Sequence, residues 1–99
     1  MQLIWTEKSR DDLIEICDYI AQDDMNTAAR VSLAIPRAVE RLIAHPFSGK
    51  PGRVEGTREL VIPRLPYIAV YVVQSETVVV LRVLHAAMEI EKILEADQN

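Results

Sequence analysis

One cysteine, three glycines, one tryptophan and one phenylalanine are all that these 99 residues contain of four structurally decisive types. The lone Cys17 excludes an internal disulfide, and a reducing cytoplasm is the expected setting. Two widely separated histidines and one cysteine offer no zinc-ligand spacing, so neither a metal nor a cofactor is expected. No apolar run approaches the roughly 18 residues of a membrane helix, and no membrane partner is expected. Glu7, Lys8, Arg10, Asp11 and Asp12 interrupt the opening residues, which argues against a secretory signal.

What is present is an apolar, mildly acidic chain of the size of one domain, 1–99. Hydrophobic residues make up 49%, too many for a disordered segment, and the net charge is −4. The charge is uneven. Residues 1–44 carry −3, residues 45–86 carry +2 and residues 87–99 carry −3. A protein built to grip a long phosphate backbone is usually more basic, so a broad nucleic-acid footprint is disfavoured while a small cationic site stays open.

The pattern of elements is β-α-α-β-β-β(-α). Residues 1–6 form a strand. Residues 7–44 form a helical hairpin, capped by Thr6 or Ser9 and, after the break at Gln22-Asp23-Asp24, by Asp24 or Asn26. The first helix has the apolar stripe Leu13, Ile16, Cys17 and Ile20. The second has Ala28, Val31, Ile35, Ala38 and Leu42. Pro36 is read as a kink. The proline- and glycine-rich stretch 45–53 reads as irregular loop. A three-stranded meander occupies 57–86, with strands 57–62, 67–74 and 78–84; the last two are apolar on both faces and hence central. Residues 87–99 form a helical tail with Met88, Ile90 and Leu94 available to pack. The expected fold is α+β, with the hairpin on one face of a four-stranded, mainly antiparallel sheet.

The chemistry concentrates in the meander. Apolar strands need no arginine for packing, and an unpaired buried one is costly. Arg58, Arg82 and His85 therefore each need a partner, inside the protein or outside it. Internal partners are open for all three. Arg58 and Glu59 fit cross-strand ion pairs, and Arg82 fits a helix carboxylate such as Asp12 or Glu15, or the loop carbonyls near Gly52. His85 fits a satisfied strand-end histidine. Tyr67, Tyr71, Trp5 and Cys17 read as core. Strict alternation puts Arg82 and His85 on opposite faces unless a bulge intervenes.

The order of these elements, the loop Pro51-Gly52-Arg53, the run Gly56-Thr57-Arg58-Glu59-Leu60-Val61, the Tyr67-Ile68-x-x-Tyr71 strand and Arg82-Val83-Leu84-His85 resemble the RelE/ParE superfamily of bacterial toxins. The resemblance runs from Trp5 to His85. It implies a growth-inhibiting toxin of a type II toxin–antitoxin module, neutralised by a cognate antitoxin and meeting operator DNA only through that antitoxin.

Two branches of the superfamily imply different targets. In a RelE-like endoribonuclease acting on messenger RNA at the ribosome, Arg58, Arg82 and His85 would be catalytic: Arg58 clamps a phosphate and His85 moves a proton. In a ParE-like inhibitor of DNA gyrase there is no nuclease site, and Lys50, Arg53, Arg64 and Met88 are the target-binding candidates. Such endonucleases usually carry a base or an aromatic after the last strand, whereas residues 86–91 read Ala-Ala-Met-Glu-Ile-Glu. Glu89 and Glu91 would repel a phosphate. The ParE-like branch is the expected one, with the RelE-like enzyme and a non-toxic antitoxin-binding member as alternatives.

Overall fold

The computed structural model describes residues 1–98; Asn99, the end of the expected tail, lies outside the described residues. Strand β1 (Gln2–Trp5) leads into helix α1 (Glu7–Ala21) and helix α2 (Met25–Glu40), which ends in a 3₁₀ turn (Arg41–Ile43). Four strands follow: β2 (Lys50–Pro51), β3 (Arg58–Val61), β4 (Tyr67–Gln74) and β5 (Thr77–His85). Helix α3 (Ile90–Asp97) completes the chain. The five strands form one mixed sheet in the order β1-β5-β4-β3-β2; only β1, beside β5, pairs in parallel.

The helix starts follow from their caps. Thr6 accepts the Ser9 N–H for α1, and Asp24 accepts the N–H groups of Asn26 and Thr27 for α2. The α2 stripe Ala28, Val31, Ile35, Ala38 and Leu42 is buried throughout. It meets Ile62, Ala69, Tyr71, Val78, Val80 and Val83 on one face of the sheet, and the α1 stripe packs against the same core. Burying such apolar surface is the main favourable term holding the hairpin to the sheet.

Two expectations need correction. The stretch 45–53 is not wholly irregular. Lys50 and Pro51 pair with Glu59 and Arg58 as a two-residue edge strand, making five strands rather than four. Proline is tolerated there because an edge strand leaves its missing donor unneeded. The helical tail starts at Ile90 instead of residue 87, leaving Met88 outside it and exposed. Ile90 and Leu94 are buried against Ile68, Val70 and Leu84, so α3 covers part of the second sheet face with a small core of its own.

The loop 46–49 is held from beneath. The fully buried Tyr71 donates its hydroxyl to the Pro46 carbonyl (2.8 Å) and accepts the Gly49 N–H (3.0 Å). Gly49 must be glycine, since a Cβ there would come within 2.9 Å of the Glu59 carbonyl oxygen and closer still to the Tyr71 ring. Tyr71→Phe strands a buried N–H and is expected to cost about 1–3 kcal/mol. Urea unfolding checks this; a midpoint equal to wild type would show that the hydroxyl does not anchor the loop.

Candidate functional site

Strand β5 is the element that positions the chemistry. Val78 and Val80 point into the hairpin core, and alternation alone would send Arg82 after them. A bulge prevents this. Val70 stands opposite Arg82 and Tyr71 opposite Val80, leaving Leu81 as the extra residue. The shift puts Val83 in the hairpin core and Arg82 on the other side, in register with Val70. The bulge lies before Arg82, so alternation holds from there and Arg82 and His85 belong to opposite faces.

Beyond Val80, β5 has lost β1 as a neighbour. The start of α1 replaces it: the Thr6 N–H donates to the Val80 carbonyl, the Thr6 hydroxyl donates to the Leu81 carbonyl, and the Val83 N–H donates to Asp12. Asp12 is a buried carboxylate. Its remaining lone pairs take Arg82, with Nε at 2.7 Å and Nη2 at 2.8 Å in a two-point clamp. Arg82 Nη1 also reaches Asp97 of α3 at 3.1 Å, and Lys8 joins the same carboxylate at 2.9 Å. The hydrogen bonds that Arg82 donates to Asp12 hold its proton more firmly than usual, against the opposing effect of burial. Burial pushes the Asp97 carboxyl up, but the hydrogen bonds and charges of Lys8 and Arg82 outweigh it and leave it below the ordinary carboxylate range.

His85 ends the strand. Its ring is exposed, meets Tyr67 edge-on at 5.5 Å, and its Nδ1 accepts the Ala87 N–H. Burial, with Tyr19 and Cys17 nearby, pushes the Tyr67 phenol up, so it stays protonated at neutral pH. Arg82, His85 and Met88 line one groove of about 370 Å³ along the free edge of β5, with Tyr19 and Tyr67.

Arg58 is elsewhere. Its Nε donates to the Gly49 carbonyl (3.0 Å) and its Nη2 to the Phe47 carbonyl (3.2 Å), with the guanidinium 5.4 Å from the Phe47 ring centre. It holds loop carbonyls, the task the sequence had left open for Arg82, and makes no pair with Glu59. Glu59 is buried and accepts the Arg53 N–H (2.9 Å) with Oε2; its Oε1 lies 3.6 Å from Arg53 Nε. Lys50 is exposed on β2, opposite Glu59 in register. Arg64 sits with a positive φ of 66° in the β3–β4 turn, beside α2. The expected site residues thus fall into three places: the loop 46–53, the β3–β4 turn and the free end of β5. Asp97 was missed in the sequence because nothing local marks its reach back to β5. Among the described residues, no group of three or more His, Cys, Asp or Glu stands close enough to hold a metal ion, and no helix is long and apolar enough to cross a membrane.

The depressed Asp97 value has a sign. Its charged form is favoured in the folded state, so its contribution to stability is present above about pH 4, the unfolded value, and is lost as pH falls through the lower folded value. Asp97→Asn is expected to cost about 1 kcal/mol at pH 7, reduced by partial solvent screening, and to flatten the acid limb of the stability curve. Urea midpoints from pH 7 to pH 2 check it; wild-type stability at pH 7 would show that α3 is not held this way.

Comparison with known proteins agrees with this geometry. The family described as "ParE toxin of type II toxin-antitoxin system, parDE" matches residues 3–90. The chain is 43% identical over 90 residues to a Sinorhizobium fredii protein named putative toxin Y4kP, covering 91% of this chain and 93% of that one. It is 33% identical over 86 residues to Toxin RelE2 of Caulobacter vibrioides, covering 87% and 96%. A solved structure described as the chromosomal ParDE TA system from P. aeruginosa superposes with a TM-score of 0.77 at 31% identity, covering 86% of this chain and 95% of that one. From strand β1 to the start of α3, this chain belongs to the ParE toxin family of type II toxin–antitoxin systems.

Proposed function

We propose that this chain arrests growth by inhibiting DNA gyrase, and that a cognate antitoxin neutralises it. The observation that carries the reading is the Arg82 clamp. A nuclease needs a cation free to meet the phosphate as its charge develops. Here Arg82 is occupied by Asp12 and Asp97, and Arg58 by two loop carbonyls. The segment after β5 supplies neither a cation nor an aromatic before Lys92, and its Glu89 and Glu91 would repel a phosphate. A toxin lacking these groups acts by binding a protein, and the exposed Met88 beside the β5 groove is a contact for it, with Lys50, Arg53 and Arg64 as further cationic contacts.

One observation favours a second reading, a ribosome-dependent endoribonuclease. His85 is exposed next to Tyr67, and a relative at 33% identity is named RelE2. In that reading His85 would be the proton carrier and Arg82 would have to leave Asp12 to reach substrate.

The two separate in one culture. On induction without antitoxin, pulse labelling is expected to show DNA synthesis falling before protein synthesis, with His85→Ala as toxic as wild type. Protein synthesis falling first, with cleaved messages and a harmless but folded His85→Ala, would establish the nuclease instead. No effect on either would mark a non-toxic, antitoxin-binding member.

A further inference from the structure

Helix α2 and the 3₁₀ turn that ends it carry arginine at positions 30, 37 and 41, with Ala34 between. At helical spacing these positions fall on one stripe, about 16 Å long from first to last. Arg64, held in the left-handed region at the β3–β4 turn, faces the same groove of about 620 Å³. Four of the eleven basic residues of an acidic chain therefore surround one depression. All four are exposed. Arg30 bonds the Thr27 hydroxyl at 3.0 Å, near Asp24. The side chains of Arg37, Arg41 and Arg64 make no hydrogen bond or ion pair among the described residues.

Packing does not account for this. Solvated helix faces usually mix signs so that neighbouring charges support each other, and like charges one turn apart, as at 37 and 41, repel. The groove is not purely polar either. Pro63, which is exposed, and the half-buried Leu65 and Ala34 line it too, so apolar surface lies between the guanidinium groups.

We propose that this groove seats an acidic, amphipathic segment of the neutralising partner protein. Its carboxylates would pair with Arg37, Arg41 and Arg64, and its apolar side chains would cover Pro63 and Leu65. The inference rests on the reading that a small protein neutralises this chain, and adds where and by what chemistry it does so. Charge complementarity selects the occupant: arginine forks take carboxylates two points at a time, and the apolar lining gains nothing from a nucleic-acid backbone. The net charge of −4 of the whole chain, these four arginines included, would also repel a long polyanion.

The test uses the protein encoded by the reading frame adjacent to this chain's own, purified and titrated into the wild-type chain, Arg37→Glu/Arg41→Glu, Arg64→Gln and the control Arg10→Glu on α1. Circular dichroism and melting establish that each variant is folded. Arg64→Gln lies outside α2, so it reads the groove even if the double variant disturbs the helix. The double variant is expected to weaken Kd at least about tenfold, the scale of lost interfacial charge pairs. Arg64→Gln should weaken it several-fold and Arg10→Glu not at all, with the losses shrinking at high salt. A folded double variant that binds as tightly as wild type would overturn the proposal. So would unchanged partner affinity with lost DNA binding by the complex, which would make the groove a nucleic-acid contact. Absence of any complex with the wild-type chain would refute the neutralisation reading itself, a different failure from a complex indifferent to charge reversal.

Discussion

The Arg82–Asp12 clamp joins the three parts of this protein that sequence order keeps apart. Asp12 belongs to α1, Arg82 to β5, and Asp97, the second carboxylate on Arg82, to α3. The clamp exists because β1 stops at Trp5 and leaves one edge of the upper half of β5 without a strand neighbour, while β4 keeps the other. A buried strand edge cannot leave its N–H groups unmade. Asp12 satisfies Val83, and a buried carboxylate then requires a cation. Arg82 is where the bulge at Leu81 delivers one. Each step forces the next, and the result ties helix hairpin, sheet and tail together through three side chains, Asp12, Arg82 and Asp97.

The clamp also decides what the surface offers. With Arg82 and Arg58 both engaged internally, three of the exposed arginines without a hydrogen bond or ion pair among the described residues, Arg37, Arg41 and Arg64, line one groove between the end of α2 and the β3–β4 turn. The free edge of β5 keeps His85, Tyr67 and Met88 around a groove of mixed character. Structural arginines inside and unpaired arginines outside are physically consistent with a protein that works by binding other macromolecules. The ParE toxin family to which the chain belongs provides the setting in which such surfaces make sense.

Much of the fold was legible because the periodic signals were strong. The α2 stripe is buried at each named position, Thr6 and Asp24 cap as their chemistry dictates, and the two strands read as central both lie inside the sheet. What escaped was non-periodic. The pairing of Lys50 and Pro51 depends on a partner strand, not on their own propensity, and proline concealed it. The bulge left no local mark, since Val80, Leu81 and Val83 all suit a regular strand. For the candidate site, the Asp12–Arg82 pairing was among the open alternatives because a buried arginine demands an acid. The roles of Arg58 and Asp97, set by contacts across 9 to 15 residues of chain, were not readable from spacing. The arginine stripe on α2 was visible as residues 30, 37 and 41, but only the turn bringing Arg64 beside it makes it a groove.

Arg82 is committed to holding the structure together. A double-mutant cycle of Asp12→Ala and Arg82→Ala, read by urea unfolding at pH 7, checks this. Strong coupling is expected, about 2 kcal/mol or more, because either single change leaves the other charge without its main partner in a partly buried site. Additive effects, with coupling under about 0.5 kcal/mol, would mean that the two side chains do not depend on each other and that Arg82 is free for another task.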